Sequence, residues 1–163
     1  MESQDVRVHE GGCLCGAVRY QVTGQPVRTM VCHCTFCQRF TGSSFYAESI
    51  FMQEQVHLSG APMCVYEHRS DGSGKLVYVH FCPRCSTTVS LTFERSPQIR
   101  AISRGTFDDP NWTEVQAHIY TRSAQSGTVL PSGVPCFAGH RIRLDGTPEP
   151  GRCLDEPTPV GSR

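Results

Sequence analysis

Seven of the ten cysteines stand in three tight groups. GGCLCG carries Cys13 and Cys15, VCHCTFCQ carries Cys32, Cys34 and Cys37, and FCPRCS carries Cys82 and Cys85, while Cys64, Cys136 and Cys153 stand alone. Thiols two or three residues apart bridge one another poorly, yet they suit two ligands on a single metal ion. Disulfides are the bland explanation of clustered cysteines, and this spacing argues against them. A redox reading of C-x-x-C needs a βαβ setting, which the sequence around Cys82 and Cys85 does not offer. Metal binding is the reading that uses all seven.

Seven ligands divide most simply into four and three. Two C-x(1–2)-C pairs on distant segments commonly close one zinc site, so Cys13 and Cys15 pair with Cys82 and Cys85. Gly16 follows the first pair and Pro83 lies inside the second, so each has a turn residue to bend the chain around an ion. Such a site is a structural staple whose binding energy is folding energy. Cys32, Cys34 and Cys37 then hold a second zinc with one position left open, the usual layout of a catalytic site. Cys64 offers a rival partition: as a fourth ligand it would close this site and make the protein a two-zinc structural scaffold. A lone cysteine in the alternating segment PMCVYEH reads instead as a small buried apolar residue. His33, between two ligands, and His80, beside the other pair, read as supporting or solvent-facing.

Three thiolates leave a zinc site formally −1, which blunts its acidity toward water. Such a site suits an incoming thiol, because a coordinated thiol loses its proton outright. A thiolate in turn attacks carbonyl carbon. Arg39 is the basic residue nearest the triple cysteine in sequence and could pair a substrate carboxylate; it reads equally well as a surface arginine. TGSS at 41–44 offers hydroxyl and backbone donors, or a plain loop.

The elements that must position these thiols read as β structure. Segments 16–23, 45–51, 63–68, 75–81, 87–93 and 99–104 are short, partly alternating and rich in Val, Ile, Tyr, Phe and Thr. SDGSG at 70–74 is a hairpin turn. Residues 35–40 are long enough for one helical turn that aims the triple cysteine inward. NWTEVQAHIY at 111–120 is a further helix candidate, with a tail that also suits a strand. TPEPGRCLDEPTPVGSR has four prolines in 17 residues and reads as a disordered tail.

The chain has 163 residues with 38% hydrophobic and 18% charged, the composition of one globular domain. Net charge is zero, which recommends neither a nucleic-acid backbone nor an anionic membrane as partner. MESQDVRVHE has no apolar run and no basic start, and no segment approaches the roughly 18 apolar residues of a membrane helix. A cytoplasmic protein with reduced thiols is the expectation.

GGCLCGAVRY, VCHCTFCQRFTGSSF, HFCPRCST and the later AHIYTRSAQSGTVLPSGVPCF together resemble the glutathione-dependent formaldehyde-activating enzyme family, also called the centromere-protein-V family. The resemblance implies a mainly β, single-domain, zinc-stapled complex of antiparallel sheets (a β-tent) with few short helical turns. It places that domain at 8–146, with tails at 1–7 and 147–163. It implies two zinc ions per chain, a structural one on the positions of Cys13, Cys15, Cys82 and Cys85, and a catalytic one on those of Cys32, Cys34 and Cys37. It implies a carbon–sulfur lyase that adds the glutathione thiol to formaldehyde, giving S-(hydroxymethyl)glutathione, with a small thiol and an aldehyde as partners. The motif speaks for zinc more directly than for glutathione, and a zinc scaffold without chemistry is the alternative.

Overall fold

A computed structural model describes residues 7–161. The strands run β1 (Val8–Gly12), β2 (Val18–Thr23), β3 (Arg28–Cys32), β4 (Tyr46–Met52), β5 (Val56–Gly60) and β6 (Cys64–Arg69). They continue as β7 (Leu76–Phe81), β8 (Thr88–Phe93), β9 (Ile99–Ser103), β10 (Ala117–Ile119), β11 (Val129–Leu130) and β12 (Thr158–Pro159). Among the described residues one α-helix, α1 (Thr35–Thr41), interrupts them, with four single 3₁₀ turns. The protein is mainly β, as the sequence indicates. All six strands read from the sequence are present, with ends moved by no more than two residues.

The chain divides into two compact units, each assembled from two stretches: Met1–Val27 with Ser49–Thr113, and Arg28–Glu48 with Glu114–Arg163. Neither is continuous, so no composition shift marks a boundary. β4 begins in the second unit and ends in the first.

In the first unit β1, β2 and β5 form an antiparallel sheet, and β6, β7, β8 and β9 form an antiparallel ladder. Val18, Tyr20 and Val22 alternate inward along β2, following the period-two geometry of a strand. They join Cys13, Phe51, Cys82, Val89, Ile102 and Phe107 in the core. Tyr20 is buried at its full length because its hydroxyl meets Thr106 Oγ1 at 2.9 Å, and its ring meets the edge of Phe107 at 5.4 Å. Gly11 lies against that hydroxyl, where a Cβ would overlap it.

In the second unit β3 pairs with β10 in parallel, Val31 opposite His118. Residues of a parallel pair must be far apart in sequence, and here the connection carries most of the first unit. The helix candidate at 111–120 resolves into a 3₁₀ turn at Pro110–Trp112 and the strand β10, so its tail, not its head, is the regular element. The proline-rich segment expected to be disordered is instead bonded. β12 pairs with β11, and Cys136 and Arg152 exchange backbone hydrogen bonds of 2.9 and 2.8 Å. The prolines remove donors only at their own positions; Arg152, Leu154 and Val160 between and after them keep bonding groups that the fold uses. Residues 1–6 of the expected N-terminal tail and the last two residues of the C-terminal one lie outside the described residues.

Candidate metal centres

Two groups of sulfur atoms converge, one in each unit. In the first unit the sulfurs of Cys13, Cys15, Cys82 and Cys85 lie within 4.8 Å of one another. Cys13 Sγ is 3.6 Å from Cys15 Sγ, which is 3.8 Å from Cys82 Sγ. Four sulfurs about 2.3 Å from a tetrahedral zinc stand about 3.8 Å apart, so these thiols have the separations that zinc requires. Two similar turns supply them. Gly16 N–H bonds the Cys13 carbonyl and Ser86 N–H bonds that of Cys82, both at 3.0 Å. Gly16 and Ser86 both take positive φ, 75° and 59°, which is free for glycine and strained for serine. Backbone N–H groups aim at the sulfurs: Val18 at Cys13 (3.2 Å) and Arg84 at Cys82 (3.4 Å). The Thr87 hydroxyl, 3.2 Å from Cys85 Sγ, and the Thr87 backbone hold that thiol down at about 5. N–H and O–H donors around sulfur favour thiolate, the form a metal takes.

In the second unit Cys32 closes β3, Cys34 is the N-cap of α1, and Cys37 sits in the helix's first turn; their sulfurs also lie within 4.8 Å. Cys34 Sγ accepts from Cys37 N–H at 3.3 Å. Bonds from the Cys32 and Cys37 thiols, and from the N–H groups of Cys37 and Phe36, hold Cys34 down to about 3. Bonds with Cys32 and then with Cys34 push Cys37 far up, and the bond with Cys34 pushes Cys32 up. The bare cluster therefore keeps one negative charge, shared with two thiol protons. A divalent cation in place of those protons would hold all three sulfurs as thiolates, so the donor set fits zinc.

The elements around this cluster are tied down. Gln38 Nε2 donates to the carbonyls of His33 (2.8 Å) and Ser123 (2.9 Å), and its Oε1 accepts from Gln125 Nε2 (3.0 Å). TGSS proves to be the helix terminus. Thr41 Oγ1 bonds the Cys37 carbonyl at 2.6 Å, Gly42 takes φ of 66° as C-cap, and Ser43 N–H bonds back to Thr41. Arg39 is exposed on α1.

Cys64 joins neither group. It is exposed at the start of β6, not the small buried residue that the strand pattern suggests. Cys136 is buried and Cys153 exposed. His33 is not solvent-facing: it is fully buried, with Nε2 2.9 Å from His118 Nδ1 and no partner for Nδ1 among the described residues. Burial, then the neighbouring His118, lowers it to about 4, so it stays neutral. His80 is half-buried on β7 and bonds Thr92 Oγ1 at 2.8 Å.

Sequence reasoning passed over Glu48. It lies on β4, buried at 7% exposure, between Tyr46 and Ile50 on the inward side. Burial and then the Cys34 charge raise its carboxyl, with Arg28 partly offsetting both, to about 8. A glutamate at a core-facing position of FYAESIF is a polar group where the alternation calls for an apolar one. That was the available signal.

The sequence profile of the family described as "Glutathione-dependent formaldehyde-activating enzyme" matches residues 8–123, most of the chain. This protein belongs to that family. A protein of Halomonas elongata named "Putative glutathione-dependent formaldehyde-activating enzyme" is 24% identical over 155 residues, covering 80% of this chain and 87% of its own. In fold, the chain is similar to a Rhodobacter sphaeroides protein solved by crystallography as a structural genomics target. That likeness has a TM-score of 0.50 at 17% identity, over 65% of this chain and 96% of the other.

Proposed function

We propose that the protein is a carbon–sulfur lyase that joins a glutathione-like thiol to a small aldehyde such as formaldehyde. The reaction forms a bond from sulfur to the carbonyl carbon, breaks the carbon–oxygen π bond, and moves the thiol proton to oxygen. The product is S-(hydroxymethyl)glutathione, and the reverse step cleaves it. Cys32, Cys34 and Cys37 would hold the catalytic zinc, and Cys13, Cys15, Cys82 and Cys85 a structural one. When bound, the catalytic zinc supplies a soft cation with one remaining position, which favours a thiol in its deprotonated form.

The single observation that carries this reading is the three-sulfur cluster with no fourth ligand among the described residues. The chain's own groups do the rest. The first turn of α1 turns its N–H groups toward Cys34, stabilising negative charge on sulfur. Glu48, electrostatically coupled to Cys34 and raised to about 8, holds a proton at its carboxyl at neutral pH. In this reading the protonated carboxyl gives its proton to the carbonyl oxygen, and the carboxylate left behind is reprotonated by the next thiol to lose its proton. Gln38 orients the helix that carries two of the three thiols. Thiol clusters need a reducing compartment, so the cytoplasm is the proposed location; among the described residues no helix is long and apolar enough to cross a membrane. Two-dimensional exchange NMR on labelled formaldehyde and glutathione tests the reaction at equilibrium. Zinc-loaded protein should speed exchange between free and adduct signals, and Cys34→Ser should not. Equal exchange with both proteins, or with neither above buffer, rejects the assignment.

A further inference from the structure

Strand β6 ends its ladder and, among the described residues, is hydrogen-bonded along one side only, to β7. An open strand edge is a template for pairing, and proteins normally blunt it with proline, lysine or a bulge. CVYEHR contains neither proline nor lysine. Five of its six residues are exposed, with Val65 at 49% and Tyr66 at 58%.

The ladder fixes which backbone groups face outward. Ser70 N–H donates to the Lys75 carbonyl at 2.9 Å, so by the two-residue rhythm of an antiparallel pair His68, Tyr66 and Cys64 also direct their groups at β7. Glu94 N–H donating to the Leu76 carbonyl at 3.0 Å gives the same phase, because Leu76 lies opposite Arg69 and is turned toward β8. The N–H and C=O groups of Val65, Glu67 and Arg69 therefore point away from the sheet.

We propose that β6 is a homodimer interface. Two copies pair antiparallel about a two-fold axis, with Glu67 of each opposite Arg69 of the other. Outward groups must meet outward groups, which leaves few registers. Glu67 opposite itself sets two carboxylates face to face; Glu67 opposite Val65 leaves both charges unmatched. The register with Glu67 opposite Arg69 matches both charges twice, gives two hydrogen-bonded residue pairs, and puts His68 on the axis. Arg69 already donates one N–H to the Gly74 carbonyl at 2.7 Å, and the other guanidinium donors remain for the carboxylate. A two-fold contact between identical patches is the commonest way for a chain to meet its own copy. One strand edge is small for an interface, so association is concentration-dependent.

Sedimentation equilibrium on the full zinc-loaded chain, over about a hundredfold range of concentration, tests this. Wild type should move from monomer toward dimer. Glu67→Arg and Arg69→Glu each create like-charge pairs and should weaken association at least about tenfold. The double exchange E67R/R69E should restore it. Both side chains are exposed, so zinc content should hold in all four proteins, and melting temperature should fall only slightly where Arg69→Glu gives up its bond to the Gly74 carbonyl. Monomeric wild type throughout overturns the proposal. So does a dimer indifferent to the single exchanges, or a double exchange that stays as weak as the singles.

Discussion

Replacing Cys82 by serine should cost the first unit most of its stability. Cys82 is completely buried in the core beside Cys13, and its sulfur stands 3.8 Å from Cys15 Sγ. Structural zinc in small domains contributes about 10–16 kcal/mol, so one of four ligands carries about 3–4 kcal/mol. A serine hydroxyl left unpaired at a buried position costs about 1–3 kcal/mol more. Together, about 4–7 kcal/mol rivals the whole stability of an ordinary domain, about 5–15 kcal/mol. Thermal melting followed by far-ultraviolet circular dichroism, with zinc measured on the same samples, reads both consequences. The expected result is a melt lowered by tens of degrees, or no cooperative melt, with loss of a tightly held zinc. An unchanged melt with zinc retained would refute the staple and the arithmetic together.

Cys64 is exposed and outside both clusters, so Cys64→Ala should change stability by less than about 0.5 kcal/mol and leave zinc content alone; loss of a zinc equivalent would restore the closed four-sulfur partition. Cys34→Ser should lower zinc content by one while the circular dichroism spectrum stays native, because the three thiols lie on one short segment, and unfolding would count against that. Glu48 has a folded pKa of about 8 against an ordinary 4.5. Its proton is therefore held by the folded state, and the stability it contributes is complete below about pH 4.5 and lost as pH rises through 8. The difference is on the order of 4 kcal/mol, so Glu48→Gln should flatten the fall in melting temperature between pH 5 and 8. An unaltered pH slope would mean that the carboxyl titrates normally.

β2 was legible because one face of it meets a core, as Val18, Tyr20 and Val22 show. β6, exposed at five of its six residues, was legible instead from its Val and Tyr content and the turn that follows it. β1, with VHEGG, and β5, with VHLSG, carry almost no such signal: each packs few apolar residues, and their pairing with β2 holds them in the sheet. β10 was obscured because the pairing of Ala117–Ile119 with β3 is parallel and distant, a tertiary fact that no local pattern encodes. The tail was misread from proline content, which reports missing donors but not where the remaining ones find acceptors. At the candidate site the seven clustered cysteines were legible from spacing, because ligand spacing is a local constraint. His33 was not: adjacent residues in an extended chain point opposite ways, and only the parallel pairing shows that its side meets His118 in the interior. Glu48 was visible in principle as a charge in phase with Tyr46 and Ile50, but its coupling to Cys34 is set by the fold.

The central claim is that a substrate thiol meets the metal held by Cys32, Cys34 and Cys37. Calorimetric titration of glutathione into zinc-loaded protein at two pH values, with Cys34→Ser alongside, addresses it most directly. Wild type should bind with release of a proton, more weakly at the lower pH because the proton competes for sulfur, and Cys34→Ser should not bind. Equal binding by both proteins, or binding that does not change with pH, would contradict the claim.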